Sequence, residues 1–287
     1  MGRSMPQTAA RFHLYRYQLL PKDRFFQGDL YGAKSIEEVI ARKNEIFAEA
    51  LRSPATLRSR RYEITVELLI ESGSFFLYRM AANRSLQHET RDFKTEVIDN
   101  WPRILVAIWN DPEQQLVAVQ HRTMAFQDTT AVVRLLFESL APTLAHLQLT
   151  VLWEPIVEKQ AFWDIVDRHK GKITQITFEL VTPNMANISR DLPEDLKEFA
   201  KRTNAVQTGV SIESDPSSAL KIERTDPVVA GLVNYSSAGG GDIAIRLAGV
   251  KKKIHTSRSV KELTIDEAVL EGPPEVVSQL LKELFRQ

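Results

Sequence analysis

The chain contains no cysteine, which excludes disulfides and thiolate metal ligands. It also lacks an apolar run that approaches the roughly 18 residues needed to cross a bilayer. Its N-terminal residues have no apolar core followed by a small-residue cleavage site, so we expect no secretory signal. A reducing compartment is compatible with the missing cysteines. These absences predict a cytoplasmic protein without membrane insertion.

Short catalytic and cofactor motifs are also missing. There is no Gly-x-Ser-x-Gly elbow, and in GKIT at residues 171–174 the lysine is followed by Ile173 rather than the Ser or Thr of a phosphate loop. The Gly239–Gly241 run follows a predicted helix and precedes a predicted strand, the reverse of a dinucleotide loop, so we interpret it as a helix stop. The six histidines are dispersed along the chain, so a metal site would have to assemble from distant elements. We therefore predict no catalytic residue, no metal site and no cofactor.

The net charge is zero, with 37 basic and 37 acidic residues, but the basic residues are unevenly spread. Residues 1–22, 52–61 and 243–261 carry cations and no acid. Such segregation can build a basic face on a neutral protein, which nucleic-acid binding requires. The alternative is that the three windows are separate in space and simply solvated. The sequence leaves both interpretations open.

The segment from Arg246 to Arg258 is the best candidate for a nucleic-acid contact. Lysines clustered without acids can neutralise phosphates and release counterions, giving salt-dependent affinity with little base specificity. The alternative is a solvated hairpin tip whose lysines protect an edge strand from pairing. The predicted DNA-binding residues are Arg58, Arg60, Arg61, Arg246, Lys251, Lys252, Lys253 and Arg258.

Residues 101–155 have the clearest local pattern. The bulky apolar run at 104–109, bounded by prolines, predicts a buried strand. Asp111 and Pro112 predict a turn, with residues 115–120 returning as an antiparallel strand.

A helix is predicted to follow this hairpin. Asp128 is its expected N-cap, and apolar residues recur at three- and four-residue steps along it. Pro142 predicts a kink or a second short helix. Residues 149–153 then predict another strand.

The order of predicted elements gives an α+β protein: a mixed, mainly antiparallel sheet with packed helices, plus a smaller C-terminal α/β part. Residues 11–20 are expected to form an edge strand, and Ser35 to cap a helix. Because residues 183–191 are polar and turn-rich, we predict an N-terminal α+β domain over 1–182 and a C-terminal α/β domain over 183–287.

Five segments follow one another in a particular order and spacing. They are FFLY at residues 75–78, the polar stretch to Asn100, WPRILVAIWND, QLVAVQHRTMAF and the helix after Asp128. In this hydrophobic pattern, residues 62–182 resemble the Rex A phage exclusion family and the related Kiwa-type phage-defence proteins. The resemblance implies a cytoplasmic, dimeric, sequence-nonspecific DNA-binding protein in bacterial or phage defence. It also implies an α+β globular part with a second, mobile part, and leaves room for a second defence subunit.

We therefore expect DNA binding without catalysis, and two alternatives stay open. One is a metal-dependent nuclease effector that uses Asp92 beside Lys94, because such enzymes need carboxylates and a nearby lysine. Its partners would come from Glu63, Glu67 and Glu71. The other is a protein–protein adaptor subunit, with the predicted helix at 274–285 as its dimer or partner surface.

Overall fold

The computed structural model describes residues 9–22, 35–52, 57, 62–181, 192–203 and 205–285. Helices and antiparallel sheets occur together in them, which confirms the α+β class. The chain divides into two compact units. The first unit consists of residues 1–13, 19–152 and 262–287, and the second of residues 14–18 and 153–261.

The described residues form thirteen strands and seven helices. The strands are β1 (Ala9–Pro21), β2 (Ile64–Ser72), β3 (Phe75–Ala82), β4 (Leu86–Glu89), β5 (Thr95–Ile98), β6 (Arg103–Asn110), β7 (Gln115–His121), β8 (Leu149–Pro155), β9 (Ile173–Val181), β10 (Gln207–Glu213), β11 (Gly241–Leu247), β12 (Ile254–His255) and β13 (Glu262–Asp266). The helices are α1 (Ile36–Arg52), α2 (Thr129–His146), α3 (Lys159–Arg168), α4 (Glu194–Arg202), α5 (Pro227–Tyr235), α6 (Glu267–Leu270) and α7 (Pro274–Phe285). None of these helices is long and apolar enough to span a membrane.

The large sheet has the strand order β13-β1-β7-β6-β3-β2, and β8 also pairs with β1. The expectation of an edge strand at residues 11–20 is wrong, because β1 has neighbours on both of its edges. Every residue from Leu14 to Leu20 is buried, Arg16 and Gln18 included. The strand is therefore interior although it carries polar side chains.

The hairpin and helix predicted after Trp101 are confirmed. β6 and β7 pair antiparallel with Ala107 opposite Ala118. The Asp128 carboxylate accepts a hydrogen bond from the Thr130 N–H at 2.8 Å and caps α2. This helix continues through Pro142 to its end, so a second short helix does not form.

The C-terminal helix α7 is also confirmed, and its apolar side is covered within the first unit. Val277, Leu281 and Phe285 are buried. The Phe285 ring centroid lies 6.4 Å from that of Phe75 and 5.8 Å from that of Trp109. Because these side chains belong to the core of the first unit, they do not offer the partner surface that the adaptor alternative assigned to this helix.

The second unit contains a four-stranded sheet of order β10-β9-β11-β12. Ile176, Phe178 and Ile243 face a core that also includes Phe162 of α3 and Leu232 of α5. β9 ends before residue 182 and pairs with β10 and β11, which follow that residue. One sheet of the second unit therefore extends across residue 182, after which the sequence predicts a domain boundary.

Candidate nucleic-acid interface

The predicted DNA-binding residues fall into three places. Arg58, Arg60 and Arg61 lie outside the described residues. Arg246, Lys251, Lys252 and Lys253 lie on or directly after β11 in the second unit, and Arg258 ends a short 3₁₀ turn after β12.

The loop after β11 displays its lysines because it turns tightly. Gly249 adopts a φ of +73°, a conformation that favours glycine, and the Val250 N–H donates to the Leu247 carbonyl at 3.2 Å. β12 then returns antiparallel, with Ile254 opposite Ile245. The result is a short hairpin whose tip presents Lys251 and Lys252 to solvent and leaves Lys253 half-buried.

The backbone brings further cations to this tip. The Ala248 N–H donates to the Lys172 carbonyl at 2.8 Å, and the Leu220 N–H donates to the Ile173 carbonyl at 2.8 Å. Lys170, Lys172 and Lys221, all exposed, are thus held at the same end of the sheet. We call this set the basic end; it consists of Lys170, Lys172, Lys221, Arg246, Lys251, Lys252 and Lys253.

Sequence reasoning missed the three added lysines because they join the others only through long-range pairing. Leu247 at the end of β11 lies opposite Ile173 at the start of β9. The signal present in the sequence was Lys172 beside a predicted strand start, but nothing local indicated which strand would be its neighbour.

Arg258 is not part of the basic end. The Ser257 N–H donates to Oδ1 of Asp242 at 2.9 Å, which fixes this turn beside the first residues of β11. Asp242 precedes Leu247 by five residues, about 17 Å along an extended strand. The predicted set is therefore divided between the two ends of β11.

The basic end is not neutralised by close acids. In the described part of the chain, none of its cations forms an ion pair with a carboxylate within 4.0 Å. Glu213 and Asp215 lie on the far side of β9, where the Ser214 N–H donates to the Thr174 carbonyl at 2.9 Å. The acids thus border the basic end on its β10 side.

An acidic group occupies the opposite end of β11. Asp242 lies opposite Glu179 of β9 and has its Oδ2 2.6 Å from Nδ1 of His255. Burial, with the nearby charges of Asp242 and Glu179, raises the pKa of Glu154 to about 7. Across the described ranges, no three His, Cys, Asp or Glu side chains are placed to hold a metal ion together.

The residues of the nuclease alternative do not form one site. Asp92 lies in the exposed turn of the β4–β5 hairpin, next to Phe93, which is fully exposed. On β2, Glu67 pairs with Arg79 and Glu71 with Arg52. Two of the three proposed carboxylate partners are therefore engaged by arginine rather than directed at a shared cation.

The Gly239–Gly241 run has a packing explanation. Gly239 has a φ of +83° at the end of the π-helical turn Ser236–Gly240, as expected of a helix stop. A Cβ at Gly240 would overlap the Tyr235 ring, and a Cβ at Gly241 would overlap the Glu179 carbonyl oxygen. Close approach of neighbouring groups therefore accounts for these two glycines.

No protein-family model, curated protein or solved structure matches this chain.

Proposed function

We propose that this protein binds duplex DNA without sequence preference, through the basic end of its second unit. The observation that supports the proposal is the grouping of seven cations from three chain segments without an ion-pairing carboxylate among the described residues. Flexible lysines are suited to phosphates as point charges. Phosphate contacts position a protein on DNA but carry no base information.

The first test is a fluorescence-anisotropy titration of the full chain with a labelled duplex at about 50 and about 200 mM salt. If four cations each neutralise one phosphate, the slope of log affinity against log salt is about −3.6, which weakens binding roughly 150-fold over that range. A second duplex of unrelated sequence should bind equally well. Absence of binding at the lower salt concentration contradicts the proposal.

The second test assigns the binding to the basic end. Replacing Lys251, Lys252 and Lys253 together by glutamine should flatten the salt slope by about 2.7, because each lost phosphate contact removes about 0.9. The matched control is Arg134→Gln, an exposed cation on α2 of the first unit. Unchanged binding by the triple variant would remove the loop from the interface.

We further propose that the protein acts as a cytoplasmic homodimer in bacterial anti-phage defence, alone or with a second defence subunit. The support is the pattern resemblance of residues 62–182 to Rex A and Kiwa-type proteins. Light scattering after gel filtration tests the dimer, for which twice 32.6 kDa is expected. Phage plating on cells with and without the gene tests the defence role, and equal plating would contradict it.

A further inference from the structure

A polar cleft in the first unit lies apart in sequence from the basic end. Its volume is about 60 Å³, whereas one water molecule needs at least ~10–15 Å³ measured in the same way. The cleft therefore has room for several waters or for the five heavy atoms of a phosphate group. Its polar lining consists of Arg79, Arg103, Gln120, Arg122, Glu267 and Glu271.

Sheet pairing explains how three arginines converge there. Arg79 of β3 lies opposite Leu105 of β6, and Arg103 of β6 lies opposite Ala81 of β3, so both arginines project from the same face of the sheet. Arg122 directly follows β7, and its Nη1 donates to the Arg103 carbonyl at 3.1 Å. Three neighbouring strands thus bring their guanidinium groups to one cleft.

These guanidinium groups have donors that the protein does not use. Nε of Arg79 is buried and has no hydrogen-bond partner among the described residues. Arg122 has no carboxylate within 4.0 Å in the same part of the chain. The cleft is therefore suited to a group that supplies acceptor oxygens to Arg122, which lines the cleft and has no carboxylate partner there.

We propose that this cleft binds a phosphate-sized oxyanion, held by Arg79, Arg103 and Arg122. Arginine suits this ligand because its planar fork donates two parallel hydrogen bonds to phosphate oxygens.

Glu271 also lines the cleft and competes with the oxyanion for Arg103. It pairs with Arg103, and both side chains are about half exposed or more, at 63% and 49%. Exposed ion pairs of this kind contribute little free energy. An incoming oxyanion can therefore displace the Glu271 carboxylate and pair with Arg103 in its place. The ion pair between Arg79 Nη1 and Glu67 Oε2, at 3.2 Å, stays intact.

The test is calorimetric titration of the full chain with inorganic phosphate at constant ionic strength, supported by thermal unfolding. Saturable binding and a melting temperature that rises with phosphate are expected, with chloride at equal ionic strength as the control. Arg122→Gln should weaken binding ~10-fold or more, because a hydrogen bond to a charged group contributes about 1.5–3 kcal/mol. Glu271→Gln should strengthen binding, since it removes the internal competitor, and Arg134→Gln should leave it unchanged.

Three phosphate sources are compared: inorganic phosphate, a nucleoside 5′-monophosphate, and a short duplex added to the Lys251, Lys252 and Lys253 glutamine variant. If one of these compounds binds, and Arg122→Gln weakens that binding while Glu271→Gln strengthens it, the result supports the site. The compound that binds in this way identifies the source of the phosphate. Absence of binding by all three, or equal binding by wild type and Arg122→Gln, overturns it. If DNA binding is lost only when residues of the basic end are changed, that result tests the proposed function and leaves the proposal for this cleft unaffected.

Discussion

Glu154 provides a direct test of the electrostatics in the second unit. This carboxyl lies on β8, largely buried, near Asp242 of β11 and Glu179 of β9. The substitution Glu154→Gln keeps the shape and removes the charge. We expect it to stabilise the protein at pH 8 and to have little effect at pH 4.5.

The magnitude follows from the pKa. Burial first, and then the two neighbouring carboxylates, raise the pKa of Glu154 from its usual 4.5 to about 7 in the folded protein. Between pH 4.5 and pH 7 the Glu154 carboxyl holds more protons in the folded state than in the unfolded state, so the free energy of unfolding falls as pH rises. The loss is complete above pH 7 and is at most about 3.5 kcal/mol, at ~1.4 kcal/mol for each pH unit.

The assay is urea unfolding of wild type and Glu154→Gln at several pH values from 4.5 to 8. The difference in unfolding free energy should grow across this range and then level off. Glu198→Gln, which changes an exposed carboxyl on α4 of the same unit, is the control and should show no such trend. A difference that is constant with pH, or that favours wild type at pH 8, would refute the reasoning.

Two further predictions concern packing. Gly241→Ala should destabilise the second unit by ~2–4 kcal/mol, because φ is +149° there and a Cβ would overlap the Glu179 carbonyl. The control is Gly209→Ala on β10, where a Cβ meets nothing within 4 Å. This control should change the midpoint of urea unfolding little. Phe285→Ala should cost about 3–5 kcal/mol in the unfolding free energy, because the ring packs between Phe75 and Trp109. Val276→Ala on the same helix, 52% exposed, should cost far less, and equal losses would contradict the packing assignment.

Local features of the fold could be predicted because their causes lie within a few residues. Asp128 caps α2 with a side-chain oxygen that accepts from the Thr130 N–H, two residues onward. Ser35 likewise accepts from the Glu38 N–H, at 3.4 Å. Turn chemistry and capping need no knowledge of distant partners.

Neighbour relations between distant strands could not be predicted in this way. The sequence of residues 11–20 indicated an edge strand, yet β7 and β13 lie on the two sides of β1. The same limit hid the cleft arginines, since Arg79, Arg103 and Arg122 stand in three separate strands or turns and show no motif. Both errors arise because pairing is decided by the burial of whole sheet faces rather than by local propensity.

The neutral net charge does not count against a DNA-binding surface, because binding responds to local potential. At physiological salt, charges separated by more than about 8 Å are largely screened from one another. Arg246 is the member of the basic end nearest to Asp242 along β11, and it lies four residues, about 13 Å, away, so the Asp242 carboxylate contributes little to the potential there. Glu213 and Asp215 are closer, across β9. Replacing these two by their amides should therefore strengthen DNA binding more than Asp242→Asn does, and the opposite order would show that the basic end is not where DNA binds.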